Sequence, residues 1–322
     1  MAKVIIGIHG LGNKPSKEVL KSWWEKSMIE GLRNTNQDFE LPNFELIYWA
    51  DLLYEKPLDE KLKDKKHHLY LSEKYVPSKG ANKIANHDLR KKILDWYDKA
   101  ADKIFLNEDM TINYSFIPDT IIHNYFKDLE AYYSNNTITS KGIIILARDE
   151  IRNRVADVLK KYQNDDIFLI AHSMGSIIAF DILKFSLPKL KISTFATIGS
   201  PLGIPFVRSK IALEQKVALN DGDKLKTPRG VKIWYNFSDL EDVVAINYSL
   251  QDDFKENKSG VKAVDFIVNN DYEIENEKNP HKSFGYLRTP EFSNALLEFM
   301  QQKERRFVQK ILDLFRILKQ KK

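Results

Sequence analysis

The stretch that decides the fold reads Ile167-Phe168-Leu169-Ile170-Ala171-His172-Ser173-Met174-Gly175-Ser176-Ile177-Ile178-Ala179-Phe180. Residues 167–171 form a continuous apolar run, which is typical of a strand buried on both faces of a sheet. Beyond residue 175 the apolar positions recur at helical spacing. The sequence therefore predicts a buried strand that passes into a helix through a short turn, with Ser173 in that turn.

The same alternation extends along the chain. Five further short apolar runs predict strands at Val4–Ile8, Phe44–Trp49, Ile192–Ile198, Val231–Phe237 and Val261–Val268. Helical patterns lie between and after them, at Lys17–Leu32, Ile143–Tyr162, Gly175–Phe185 and Pro290–Met300. Strands that alternate with helices favour an α/β fold with a mostly parallel central sheet flanked by helices.

One region departs from this alternation. Residues 52–141 are charged and aromatic, and their helical patterns cover Ile84–Phe105 and Thr120–Tyr133. We predict that they form a helical cap or lid, which would shape an apolar acyl pocket. Arg208–Arg229 is a second region that departs from the alternation of strands and helices, and it is more polar. Without repeats or a low-complexity linker, one domain over residues 1–322 is favoured over two.

Composition excludes several classes of protein. The 322 residues are 43% apolar and include no cysteine. Disorder, disulfides, cysteine-ligated metals and a cysteine nucleophile are thereby excluded, and we predict neither a metal nor an organic cofactor. Val4–Ile8 is too short for a signal peptide, and no apolar run approaches the length of about 18 residues typical of a membrane span. We predict a cytoplasmic protein.

The net charge of +5 is concentrated at the C-terminus, where residues 303–322 carry eight Lys and Arg against two acidic residues. The rest is nearly balanced, whereas a nucleic-acid-binding fold would carry a basic face, so we predict no nucleic-acid partner. Apolar residues at helical spacing predict a basic amphipathic helix over 303–322. Docking of this helix on the core is favoured, and peripheral contact with an anionic membrane is the alternative.

Ser173 stands in a turn of the form small-x-Ser-x-Gly. Ala171 and Gly175 keep its flanks small, as a tight nucleophile elbow between a strand and a helix requires. A helix N-cap is the alternative role for this serine. A phosphate-binding loop is excluded for the segment Gly7-Ile8-His9-Gly10-Leu11-Gly12-Asn13-Lys14, because Asn13 stands where that motif requires lysine. We predict instead that the backbone N–H groups of Leu11 and Met174 form an oxyanion hole.

An activated serine requires a histidine to take its proton and a carboxylate to orient that histidine. In nucleophile-elbow folds the acid and then the histidine follow the serine along the chain. Of the seven histidines, only His281 lies downstream of Ser173 with room for an acid between. Asp239 and Asp242 both follow the strand predicted at Val231–Phe237, where sites of open α/β sheets lie. Their positions in the chain do not decide which of the two orients His281. The carboxylate that does not would serve in a turn.

Three segments carry a resemblance to a known family: His172-Ser173-Met174-Gly175-Ser176 running into Ala179-Phe180-Asp181-Ile182-Leu183, then Ile198-Gly199-Ser200-Pro201-Leu202-Gly203, then Asn236 through Asp242-Val243-Val244-Ala245. The chain resembles α/β-hydrolase-fold serine esterases and lipases, and these segments are similar to DDHD-type phospholipases and related bacterial hydrolases. In that pattern the strand led by asparagine ends in Asp-Pro-Val-Ala, so the resemblance implies Asp242 as the acid. Ala171 and Val243 replace a glycine and a proline of the pattern.

The resemblance implies a serine hydrolase that cleaves carboxylic esters, lipid and phospholipid acyl esters included, through an acyl-enzyme. An acyltransferase or a thioesterase would use the same Ser-His-Asp triad. A non-catalytic binding or scaffold protein that retains the fold is the alternative from another class. A serine, an acid and a histidine in the expected order favour an enzyme.

Overall fold

The computed structural model describes residues 1–35, 39–80, 129, 132–133, 137–140, 143–216, 223–245 and 247–302. In this part of the chain the strands are β1 (Lys3–Ile8), β2 (Asn43–Ile47), β3 (Thr137–Ser140), β4 (Ile143–Leu146), β5 (Asp166–His172), β6 (Thr194–Ile198), β7 (Leu225–Lys226), β8 (Trp234–Asp239), β9 (Phe254–Lys255), β10 (Ala263–Val268), β11 (Glu273–Ile274) and β12 (Glu277–Lys278). The helices are α1 (Lys17–Asn34), α2 (Ala147–Lys161), α3 (Met174–Asp181), α4 (Pro205–Glu214), α5 (Leu250–Asp253), α6 (Ser283–Tyr286) and α7 (residues 290–302).

Six of the strands form one parallel sheet in the order β2-β1-β5-β6-β8-β10. From β1 the chain moves outward to β2, then returns to the other side of β1 at β5 and continues outward from there. The strand order therefore reverses between β1 and β5. In open α/β sheets, ligands bind beyond the carboxyl ends of the strands at such a reversal.

Helices cover both faces of this sheet. Along β1 the side chains alternate, so that Ile5 packs with α1 and α7 on one face while Ile6 packs with α2 and α3 on the other. Trp24 of α1 and Ile177 of α3 are fully buried contributors to the two sides. Burial on both faces explains why the strands read as continuous apolar runs. The predicted α/β class with a parallel central sheet is confirmed.

Two predicted helices are shorter than expected. Ile143–Leu146 is not the first turn of a helix but strand β4, which pairs antiparallel with β3. Three consecutive isoleucines favour an extended backbone because β-branched side chains restrict χ1 in a helix. The helix after Ser173 is α-helical only as far as Asp181 and then widens into a π-helical turn over Ile182–Ser186.

The predicted cap over residues 52–141 lies largely outside the described residues, as do its helical patterns at Ile84–Phe105 and most of Thr120–Tyr133. Residues 53–80, which precede these patterns, contain no helix, whereas the described residues 129, 132 and 133 are helical, so the cap stays a prediction. Pro57 and Pro77 interrupt the segment 53–80, and its residues are too polar to bury a helical face. It follows the surface, with Leu71 buried against the core.

The C-terminal segment 303–322 also lies outside the described residues, so its predicted helix stays a prediction. Within the described part of the chain, no helix has the length and apolar character needed to span a bilayer.

Candidate active site

Ser173 occupies a strained turn between β5 and α3. Its φ of 55° and ψ of −130° lie in a region that side-chain-bearing residues seldom adopt. The Ser173 N–H donates to the carbonyl of Ile198 at 3.0 Å, which fixes the turn to β6. On the other side, a Cβ added at Gly175 would lie 2.6 Å from the carbonyl oxygen of Ile8. The two strands that flank β5 therefore hold the turn in place.

The structure brings Ser173, His281 and Asp242 together although about 110 residues separate the first two. The Ser173 Oγ lies 2.9 Å from His281 Nε2, and His281 Nδ1 lies 2.8 Å from Asp242 Oδ2. With Nδ1–H donating to the carboxylate, Nε2 is free to accept the serine proton. Ser173 and Asp242 are each 2% exposed, while the His281 side chain is 20% exposed.

The Asp242 carboxylate is held by a full set of donors. Its Oδ1 accepts from the Val244 N–H at 2.9 Å and more weakly from Ala245 at 3.4 Å. Its Oδ2 accepts from the Tyr286 hydroxyl at 2.7 Å. Gly199, at a φ of 53°, lies so close that an added Cβ would be 2.9 Å from this oxygen. The acid is therefore fixed in an orientation that points it at the imidazole.

Asp239 has a different role from Asp242. Its Oδ1 accepts from the Glu241 N–H at 2.7 Å and its Oδ2 from the Asn270 N–H at 2.6 Å. Burial raises the pKa of Asp239. The carboxylate thus closes the turn after β8 and ties it to the segment after β10. Of the two acids that chain position left open, Asp242, which the resemblance implies, is the one in contact with His281.

The segments that carry the predicted oxyanion donors flank the serine. A Cβ added at Gly10 would lie 2.7 Å from Ser173 Cβ, so the backbone leading to Leu11 packs directly against this residue. Met174 is the first residue of α3, where an N–H has no acceptor within the helix. Two amides can thereby be directed at an oxyanion formed beside the serine.

His9 holds the backbone at the end of β1. Its Nε2 accepts from the Trp49 N–H at 3.0 Å, and its Nδ1 donates to the carbonyl of Gly10 at 2.8 Å. Burial lowers the pKa of His9 to about 3, and the charge of Lys14 adds to this effect. The imidazole therefore stays neutral and serves the shape of the Gly10–Leu11 turn.

His172 makes a contact that the sequence did not predict. Its Nε2 donates to the backbone carbonyl of His281 at 2.8 Å, and the two rings are 4.8 Å apart. Burial, followed by the nearby charge of His281, lowers the pKa of His172 well below its usual value. A neutral residue next to the serine thus fixes the loop that carries His281. Its place beside Ser173 was the only sequence signal for this role.

A cleft of about 690 Å³ borders His281. Its walls come from residues 65–73, from 241–244 beside the acid, and from 274–281 leading to the histidine. Four glutamates and two lysines line it together with apolar residues such as Val243, Val244 and Ile274, so this cleft is more polar than the acyl pocket expected of the insertion. Among the residues that the structure describes, no three His, Asp or Glu side chains form a group that could hold a metal ion.

Comparison with known proteins assigns no family. The sequence matches no protein-family model, and a search of curated proteins gives no match. Function is therefore inferred from the chemistry of the site, because a fold alone does not identify an activity.

Proposed function

We propose that the protein is a serine hydrolase with an α/β-hydrolase fold that cleaves carboxylic esters through an acyl-enzyme. The observation that carries this proposal is the unbroken hydrogen-bonded path from Ser173 Oγ through the two nitrogens of His281 to Asp242. A buried hydroxyl on a strained turn, in contact with an oriented imidazole, is the arrangement that general-base activation of a serine requires.

In the proposed reaction His281 takes the proton of Ser173 as the oxygen attacks the ester carbonyl. The Leu11 and Met174 amides stabilise the negative charge that develops on the carbonyl oxygen. The imidazolium then gives its proton to the leaving alcohol, and the acyl group remains on the serine. Water, deprotonated by His281, attacks this acyl-enzyme; the bond between the acyl carbon and Ser173 Oγ then breaks, the imidazolium returns its proton to Oγ, and the carboxylic acid leaves. Asp242 keeps its charge throughout and stabilises the imidazolium.

The position of the site within the fold supports the same proposal. Ser173 follows β5 and His9 follows β1, so the site lies beyond the carboxyl ends of the two strands between which the sheet order reverses. The positive end of the α3 dipole lies at the serine, where an oxyanion would form.

Hydrolysis of p-nitrophenyl butyrate by the purified protein tests the proposal. Both Ser173→Ala and His281→Ala are expected to lower kcat by about 1,000-fold or more, because members of a triad act as a unit. Ser259→Ala, which removes an exposed serine hydroxyl outside the triad and outside the cleft lining, serves as the matched control and keeps wild-type activity. Turnover by Ser173→Ala at the wild-type rate would contradict the proposal. Transfer of the acyl group to added glycerol in preference to water would identify an acyltransferase.

A further inference from the structure

The cleft beside His281 is positioned to bind part of a substrate. Its volume of about 690 Å³ falls within the range of roughly 300–1,000 Å³ typical of ligand pockets. His281 is the most exposed residue of the triad and forms part of the lining of this cleft. A molecule in the cleft therefore lies against the imidazole rather than against the acid.

Hydrogen bonds fix the loop that carries His281 to neighbouring segments. Glu73, from the first wall, accepts from the side chain of Asn279 and from Lys282 Nζ, the latter at 2.7 Å. Asn270 Nδ2 donates to the carbonyls of Pro280 and Lys282 at 2.7 and 2.8 Å. The loop that carries His281 is thus fixed from both sides.

The cleft has an excess of negative charge. Its charged side chains are four glutamates and two lysines, namely Glu73, Glu241, Glu275, Glu277, Lys65 and Lys278. Lys65 is 2.5 Å from Glu275, Lys278 is 3.8 Å from Glu241, and Lys282 beside the cleft is 2.7 Å from Glu73. Four glutamates therefore face three lysines, which leaves an excess of one negative charge. An alkyl group placed here would remove water from these charges without replacing its hydrogen bonds. An anionic group would be repelled.

We propose that this cleft binds the leaving-group side of the ester, and that the leaving group is a hydrophilic alcohol without negative charge. The inference rests on the proposed function, in which His281 protonates the leaving oxygen and so must lie beside it. Hydroxyl or ammonium groups of such an alcohol would replace the water at the glutamates, while the acyl group extends away from the cleft.

Four esters that share one acyl group test this inference: glyceryl monobutyrate, butyrylcholine, hexyl butyrate and 3-sulfopropyl butyrate. Each kcat/KM is measured for the wild-type protein, with Ser173→Ala as the blank. The glyceryl and choline esters are expected to exceed the hexyl and sulfopropyl esters by about tenfold or more. Equal values, or a preference for the hexyl ester, would overturn the inference while leaving the hydrolase proposal intact. Absence of Ser173-dependent hydrolysis of every ester would overturn both.

Reversal of one charge in the cleft provides an independent readout. Glu277→Lys is expected to lower the ratio of choline to sulfopropyl ester turnover by about fivefold or more, because the cleft then gains two units of positive charge. Glu277 is exposed on β12, so the substitution leaves the core intact. Glu256→Lys, the same change at an exposed position outside the cleft lining, is the control. An unchanged ratio in Glu277→Lys would contradict the assignment of the cleft.

Discussion

The phenol of Tyr286 lies between the two aspartates that follow β8. Its hydroxyl accepts from the Asp239 N–H at 2.9 Å and donates to Asp242 Oδ2 at 2.7 Å. Burial, followed by the charge of Asp242, raises the pKa of Tyr286 well above its usual value, so the group stays a donor. Because the hydroxyl oxygen already accepts from the Asp239 N–H, its own proton must point at the Asp242 carboxylate. Tyr286 is therefore a positioning residue for Asp242.

Tyr286→Phe is expected to lower kcat for ester hydrolysis by about tenfold with little change in KM, the effect of losing one hydrogen bond to a charged group. With one donor fewer, the carboxylate attracts the imidazolium proton more strongly. The acid limb of the pH profile of kcat/KM should therefore move to higher pH, which a purely structural role would not produce.

Tyr235→Phe is the matched control for this change, since it removes a phenol bound to Glu298 at 3.0 Å away from the site. If Tyr286→Phe and Tyr235→Phe have the same pH profile as the wild type, Tyr286 has no part in orienting the acid.

At the scale of elements, the site depends on how closely the turn after β5 approaches β1. The carbonyl oxygens of Ile8 and His9 would lie 2.6 and 2.8 Å from a Cβ at Gly175. Both are backbone atoms at the end of a buried strand, so they cannot move aside as a side chain would. The turn motif therefore requires a small residue at position 175 because the end of β1 leaves no room for a side chain.

Gly175→Ala is expected to destabilise the protein by about 1–3 kcal/mol through overpacking. The displaced turn should also lower the proposed esterase activity, since the serine and the proposed oxyanion donors would separate. Urea denaturation and ester turnover measure the two effects. Gly80→Ala is the control, because an added Cβ there meets nothing within 4 Å. If Gly175→Ala has the same midpoint of urea denaturation as the wild type, the turn is less tightly packed than described.

At the scale of the molecule, the parallel sheet was predictable because strands buried on both faces leave continuous apolar runs in the sequence. Chain order also limited the choice of base to His281. It could not separate Asp239 from Asp242, since both lie within one turn and their partners, such as Asn270 and Tyr286, come from later segments. The direction of the His172 side chain likewise depends on where the loop with His281 returns, which no local pattern encodes.

The helix start predicted at Ile143 was wrong because strand pairing outweighs a local pattern. Ile143–Leu146 fits a helical pattern as well as an extended one, and its pairing with β3 decides for the strand. Residues 53–80 lack an apolar periodicity, and their path is set by contacts such as that of Glu73 with Lys282. Long-range contacts of this kind outweigh local propensity.

The central claim is that His281 makes Ser173 a nucleophile, and labelling by a fluorophosphonate probe, with peptide mapping of the modified residue, tests it most directly. We predict a single modified residue, Ser173, no labelling of Ser173→Ala, and labelling of His281→Ala slowed by about 100-fold or more. Labelling that proceeds undiminished in Ser173→Ala, or at the wild-type rate in His281→Ala, would contradict the claim.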